Sequence, residues 1–561
     1  MQRVVSVVPA RRPMRQRTWA NKPRQRSLHA GSAGCASGFF MRRVHGMGTD
    51  VSERRMAGHG AVDWPALPLG RIVTERGALT PYEIPERGAP GYTNCVLQPG
   101  SEVEVGQLLR AATQTRRPLV ISAGRTGLVE AQRPQDETVL SLERLKHPLQ
   151  FTLADGRSCA LPVHGDAGAV LNAWWQAQGQ PDVAGATVEV EAGMAVDAVN
   201  ELLAPLGLRW PMELGSSSAA SVGGCVANAS AGANAVRHGT AAHLCEQAWG
   251  WWADGTSAGP FSGPCWRLPA PEQLAIDSTH VDPTLGLIGS QGVFGVITRV
   301  RLRLCKQPAA REGVLVPVAD MAHAMRVLAA AQAAFPDAVE EFEFIGRGAL
   351  ECVMHHLGSK VALPFAPQRT RDWCVLLQVE GSDPETLAGQ LYALLADTLK
   401  IDDADIGYAP LPVLKRIRHS ITEASNARMR QRGGGRLSFD TAVPRVRFGT
   451  YLDALAGELL REFPDLELVA FGHAGVGGAH LHLIGSADHP VAVVHDAVIA
   501  RIFDVTAAHG GTYSAEHGVG PKWADEFRRR ADPRQFDRLR AEKRRRDPSG
   551  ILNPRSFGLL D

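Results

Sequence analysis

The chain has 561 residues, 44% hydrophobic and 21% charged, proportions that suit a globular protein and exclude a wholly disordered or fibrous one. Its 60 Lys+Arg nearly cancel 58 Asp+Glu to give +2, so no global basic field makes nucleic acid the principal partner. The nine cysteines form no C-x-x-C pair and signal neither a zinc site nor a disulfide framework, and no apolar run reaches the roughly 18–20 residues of a membrane span.

The first fifty residues carry about ten Arg/Lys and no acid before Asp50. This leader, 1–55, resembles an organelle transit peptide, which would place the protein in mitochondria. The preferred reading is a disordered tail, or an upstream start with Met41 or Met47 the real one, and a cytoplasmic protein is then expected. From residue 88 the pattern is regular. YTNCVLQP reads as a strand, and Val105, Leu108, Leu109 and Ala112 then fall at helical spacing. PLVISAG and TVLSLERL read as strands, as does ATVEVEAG, which is followed by a helix with Val196, Val199, Leu202 and Leu203 on one face. VPVADMAHAMRVLAAAQAAFP reads as one long helix opening a less glycine-rich stretch, and a boundary is expected near 308.

The 58 glycines, about a tenth of the chain against a usual roughly 7%, gather in clusters. In the first, Ser122 to Leu128, glycine would let successive main-chain N–H groups point inward as an anion cradle, although taken alone the stretch reads as readily as a plain turn. It is not the Rossmann fingerprint, because no helix follows directly. The second, 211–240, is small-residue backbone against which a flat ligand could lie. The third, LIGSQGVFGVITRVRL, reads as strand, glycine-rich turn and strand. The fourth is chemical: His473 ends an apolar strand, a glycine-rich turn covers 474–478, and His480 and His482 share one face of the next strand. His473 and His480 flank one tight loop and can converge on a single ion. Glu516, beside His517 in GGTYSAEHGVG, completes a ligand set with open positions, as catalytic metal sites have.

These motifs, in this order, resemble the FAD-linked oxidases of the vanillyl-alcohol-oxidase superfamily, closest to the D-lactate and D-2-hydroxyglutarate dehydrogenases and the glycolate oxidase flavin subunit. The resemblance implies an α+β fold: a PCMH-type FAD-binding domain over 88–307, a ferredoxin-like antiparallel cap over 308–510, and a helical segment over 511–561 returning to the FAD domain. It implies FAD contacts from Ser122, Ala123, Gly124, Arg125, Thr126, Gly127 and Leu128. Gly215, Ser216, Ser221, Gly223 and Gly224, with Val296 and Asn553, are the remaining implied contacts. It carries the metal ligands (Zn or Mn) to His473, His480 and Glu516, and the proton-abstracting role to His517, whose imidazole is expected to serve without a large pKa shift. Substrate binding falls to Arg418 and Thr422, expected on one helix face, and to His482.

The chain also departs from the family pattern H-x-G-D-G-N-x-H-x-N. Val476 stands for the Asp, Gly478 for the first Asn and His482 for the second. Ser438 replaces a substrate lysine, with Arg436 as a stand-in, which suggests a substrate without two carboxylates or a changed pose. Glu130 and Ala131 replace two glycines near the diphosphate. The expected reaction is oxidation of a small D-2-hydroxy acid, with hydride passing to flavin N5 and an external acceptor (quinone, cytochrome or electron-transfer flavoprotein). The alternatives are a non-redox flavoenzyme of the superfamily or a catalytically drifted subunit. A homodimer is left open.

Overall fold

The computed structural model describes residues 64–560, so the basic leader over 1–55 lies outside the described residues. A four-stranded sheet orders Arg71–Val73, Val96–Gln98, Thr138–Ser141 and Leu119–Ser122, the last three parallel. Helix Glu102–Thr115 covers it, started by Ser101, whose side chain accepts from Glu104 N. Its stripe of Val105, Leu108, Leu109 and Ala112 is fully buried. A six-stranded antiparallel sheet follows, in the order Ser257–Ser262, Cys245–Trp252, Gly295–Arg303, Thr187–Glu191, Pro148–Thr152 and Ser158–Ala160.

The second half is built on a seven-stranded antiparallel sheet: Gly407–Tyr408, Ala310–Val318, Trp373–Gly381, Val339–Gly346, Glu467–Gly472, Gly478–Ser486 and Gly433–Ala442. Helices Met321–Ala334, Phe448–Glu462 and His495–Ala508 bury one face in the largest core. Helices Arg347–Leu357, Leu411–His419 and Ile421–Arg432 cover the other face through Leu350, Val353, Leu414, Ile417 and Ile421. This α+β arrangement, with a helix-covered antiparallel cap sheet, is the fold class expected from the sequence.

The chain then returns to its first sheet. Leu119 N donates to Ile551 O at 2.7 Å, and Asn553 N donates to Leu119 O at 2.9 Å. Lys543, 1% exposed, holds the return by donating to Asp547, Val293 O and Leu552 O. No described helix is long and apolar enough to cross a membrane.

Several local expectations need correction. Residues 316–318 finish the strand Ala310–Val318, and the helix begins only at Met321, where Asp320 caps it by accepting from His323 N. Residues 287–290 form turns rather than a first strand; Leu287 and Ile288 are apolar because the turn is buried. The glycine-rich stretch 211–240 contains two short helices, Val222–Asn228 and Ala235–His238. Arg418 and Thr422 sit on two successive helices divided at Ser420, not on one.

Candidate active site

Strand register assembles the chemical residues at one end of the seven-stranded sheet. In the pairing of Gly433–Ala442 with Gly478–Ser486, Asp440 lies opposite His480 and Ser438 opposite His482. Alternation puts His480 and His482 on one face while Ala479, Leu481 and Leu483 enter the opposite core. The turn that brings His473 back to His480 needs glycine at 477. Its φ is +75°, and a Cβ there would stand 2.0 Å from Val443 O. Val476 is fully buried in the core and does not enter the site.

His473, His480 and Glu516 converge. Nε2 of His480 is 3.3 Å from Nε2 of His473 and 3.2 Å from Oε1 of Glu516, and His473 Nε2 is 3.6 Å from the same oxygen. Ligands bonded at about 2.0–2.2 Å to a tetrahedral ion stand roughly 3.3–3.6 Å apart, so the three donors have the spacing one ion requires. Glu516 Oε2 is also buried without a hydrogen-bond partner. Asp440, His480, Glu516 and His517 form an overlapping group of donors within 4.8 Å of one another.

Behind these groups sit two carboxylates with no role in the sequence reading. Glu343, on strand Val339–Gly346, accepts from His473 Nδ1 at 2.6 Å and from Arg418 Nε at 2.7 Å. Burial pushes this carboxyl up, but His473 and Arg418 outweigh it and hold the pKa at about 2. Burial lowers His473 in turn, and Glu343 with Glu516 more than reverse that, to about 10, so a metal here would compete with a proton. Asp440 Oδ2 accepts from the main-chain N–H of Glu516 at 2.9 Å and of His517 at 2.8 Å, fixing the pair that the loop carries. Its sequence signal is the D-x-x-x-P run from Asp440 to Pro444.

His517 lies with its ring nearly parallel to that of His480, 9° between planes, and with Nδ1 3.5 Å from Asp440 Oδ2. The expectation of an unshifted imidazole is corrected. Burial dominates the pull of Asp440 and Glu516 and lowers its pKa to about 4. The ring is therefore neutral at pH 7 and able to accept a proton. His482, 2% exposed, is also held well below its ordinary value by burial and by Arg436. Arg436 donates to Ser425 Oγ at 3.4 Å, and Ser425 Oγ lies 2.9 Å from His482 Nδ1.

A cavity of about 190 Å³ gathers these groups: Arg418, Thr422, His473, His480, His482, Glu516 and His517 line it together with Leu128 and Gly215. Arg418 lies over the Phe471 ring at 4.8 Å and gives Nε to Glu343, and among the described residues its terminal nitrogens have no hydrogen-bond partner.

The sequence-predicted cofactor residues divide in two. The loop 122–128 leaves strand Leu119–Ser122 toward the cavity, and Gly124 lets it pass segment 215–224, since a Cβ there would meet Ala219 O at 2.1 Å. Main-chain N–H groups of residues 124–128 donate to no protein group among the described residues, and Ser122 Oγ is buried without a partner. Such unused donors fit a bound diphosphate. Gly215 has open space where a Cβ would be. Arg125 is paired with Glu143 at 2.7 Å, and Glu130 with Arg133 at 2.7 Å, which gives that unexpected carboxylate a cation of its own. Others are engaged elsewhere. Ser221 caps helix Val222–Asn228, Gly223 packs on Ala192, and Val296 lies in the core beside Leu108 and Leu552. Asn553 accepts from Ile121 N at 2.9 Å and donates to Gln291 O at 3.0 Å, tying the backbone behind the loop.

Comparison with known proteins bears on the two halves of the chain. Residues 93–257 match a FAD binding domain, and residues 307–557 match the C-terminal domain of FAD linked oxidases. The chain is 26% identical to the mitochondrial D-2-hydroxyglutarate dehydrogenase of Bos taurus, with 86% of this chain and 80% of that protein covered. It is 27% identical to the D-2-hydroxyglutarate dehydrogenase of Xanthomonas citri pv. viticola, with 87% and 94% covered. Among solved structures, p-cresol methylhydroxylase with substrate bound superposes with a TM-score of 0.60 at 15% identity, over 87% of this chain and 93% of that one, a likeness of fold. The chain belongs to the FAD-linked oxidases, an oxidoreductase with a FAD-binding domain and that family's C-terminal domain.

Proposed function

We propose that the protein oxidises a small D-2-hydroxy acid to the 2-oxo acid, with metal assistance and with an external acceptor (a quinone, a cytochrome or an electron-transfer flavoprotein) taking the electrons onward. The reading rests on one observation above the others: His473, His480 and Glu516 present donors 3.2–3.6 Å apart in the cavity that also holds Arg418, His517 and Leu128 of the cofactor loop. The named relatives carry the same substrate chemistry. Residues 88–307 are assigned to the cofactor, 308–510 to the substrate and 511–561 to the segment that returns.

A divalent ion on His473, His480 and Glu516 would supply Lewis acidity that lowers the pKa of the substrate hydroxyl, and FAD would supply the hydride acceptor. The chain's own residues do the rest. The terminal nitrogens of Arg418 bind the carboxylate, while Glu343 and Phe471 keep the guanidinium from turning away. Thr422 lines the same wall. His517, neutral in the resting site, takes the hydroxyl proton at Nε2, and Asp440 beside Nδ1 stabilises the charge that forms. The test is an anaerobic spectrum of the purified flavoprotein on adding D-lactate, D-2-hydroxyglutarate, glycolate and the L-forms, with and without chelator. Bleaching by a D-hydroxy acid that chelator suppresses is expected; no bleaching by any of them refutes the reading.

A further inference from the structure

Gln291 lies in the buried turn before strand Gly295–Arg303, 4% exposed and with φ +52°. A residue with a side chain seldom takes that conformation, and glycine would take it without strain. Such strain persists only where the surroundings over-determine it, and it points to a task for the side chain.

All four polar atoms of Gln291 are engaged. Its main-chain N donates to Ala227 O at 2.7 Å, and its main-chain O accepts from Asn553 Nδ2 at 3.0 Å. Oε1 accepts from Val519 N at 2.8 Å and from Gly520 N at 3.4 Å, while Nε2 donates to Ser278 O at 2.9 Å. The side-chain contacts thus reach both flanks of His517. Ser278 holds the approach, donating from N to Ser514 O at 3.0 Å and from Oγ to Ala515 O at 3.1 Å. Val519 and Gly520 are the departure. Between them Ser514 Oγ donates to Gly518 O at 2.6 Å and closes the turn. The turn also presses on Gln291, since Gly518 has φ +90° and a Cβ there would stand 2.7 Å from Oε1.

Asp440 grips the Glu516 and His517 N–H groups from the cap sheet, so Gln291 is the hold on the same loop from the other half of the chain. Asn553, bonded to Gln291 O, also accepts from Ile121 N behind loop 122–128. In the oxidation of a hydroxy acid the hydroxyl proton and the C2 hydride leave one small molecule for two acceptors. Their separation must be fixed closely, because a misplacement of about 1 Å can cost about 100-fold in rate.

We propose that Gln291 is a positioning residue that sets His517 against the flavin, acting through Val519 and Gly520. It does not line the cavity itself. The proposal rests on the hydroxy-acid reading above, in which His517 is the base, and it deepens that reading.

The experiment compares the full flavin-loaded chain with three variants. Gln291→Gly relieves φ and keeps both main-chain bonds, Gln291→Met fills the space without the amide, and Gln291→Glu keeps the acceptor for Val519 and Gly520. FAD content, urea midpoint and anaerobic flavin reduction are measured on each, with the D-hydroxy acid that bleaches the wild type. Gln291→Gly and Gln291→Met are expected to keep FAD and a KM within about twofold, and to reduce about 10–100-fold more slowly at saturating acid with a larger solvent deuterium isotope effect. Gln291→Glu should recover most of the rate. A wild-type rate in the Gly and Met variants overturns the proposal. So does an equal loss in all three that tracks a lowered urea midpoint, or loss of FAD with a normal rate per bound flavin. Failure of the hydroxy-acid reading is told apart by amide exchange. If no acid bleaches the wild type, faster hydrogen exchange over 514–522 in the Gly and Met variants than in the wild type and Gln291→Glu still sustains the hold on the loop, and equal exchange in all four overturns it.

Discussion

Asp440 offers the sharpest perturbation. Its Oδ2 holds two main-chain donors, Glu516 N at 2.9 Å and His517 N at 2.8 Å, and its side chain is 5% exposed. A hydrogen bond to a charged group contributes about 1.5–3 kcal/mol and a neutral one roughly 0.5–1.5 kcal/mol. Asp440→Asn keeps an acceptor and loses the charge, so it should cost about 1 kcal/mol per bond and about 2 kcal/mol in all. Asp440→Ala leaves both donors unpaired, at about 1–3 kcal/mol each, for about 2–6 kcal/mol. The functional loss should be the larger effect, because the loop then no longer sets Glu516 against His473 and His480. Outer-shell partners of this kind change metal affinity or activity by about 10–100-fold. Urea denaturation of the two variants, with stopped-flow flavin reduction and metal analysis on the same preparations, provides the readouts. If Asp440→Ala unfolds within about 0.5 kcal/mol of wild type and reduces its flavin at the normal rate, the positioning argument is wrong.

Three further outcomes follow from the same geometry. His517→Ala should retain FAD and lose anaerobic reduction by a D-hydroxy acid by at least about 100-fold, and a normal reduction rate would remove it from the base role. Glu343 is lowered from 4.5 to about 2, so its contribution of about 3 kcal/mol is present above pH 4.5 and lost as pH falls toward 2. Urea midpoints of wild type and Glu343→Gln should therefore differ at pH 7 and approach one another on acidification, and a difference independent of pH would contradict the assignment. Gly124→Ala, which puts a methyl group 2.1 Å from Ala219 O, should cost about 1–3 kcal/mol and lower the flavin-to-protein ratio after gel filtration. A fully loaded Gly124→Ala protein would show that the two segments can separate without harm to the cradle.

What could be read from the sequence was local. His473 and His480 straddle one hairpin and Glu516 and His517 are neighbours, so their spacing announced them, whereas the seven-residue loop 122–128 reads as readily as a turn and is assigned to the cofactor through the family resemblance. Glu343 could not be found that way: it meets His473 across 130 positions of sequence, through strand pairing that no periodicity encodes. Asp440 was visible in D-x-x-x-P, but its role depends on a loop arriving 76 and 77 residues later. The low pKa of His517 follows from burial, which composition does not report. The late start of helix Met321–Ala334 did leave a signal. Asp320 is a capping residue, and V-L-V-P-V before it is strand-like, but the alanine-rich run obscured both.

The tie between Ile551, Asn553 and strand Leu119–Ser122 has a consequence for biosynthesis. The backbone behind the cofactor loop is completed by residues translated more than four hundred positions later, as the separation of 432 between Ile121 and Asn553 records. A ribosome therefore emits the first glycine loop long before the peptide that braces it exists, and the nascent domain must wait in an unfinished form. If residues 122–128 hold the flavin, its capture in the final pose is a post-translational event, and a stop codon that removed only the last dozen residues is expected to lower the flavin-to-protein ratio of the purified chain.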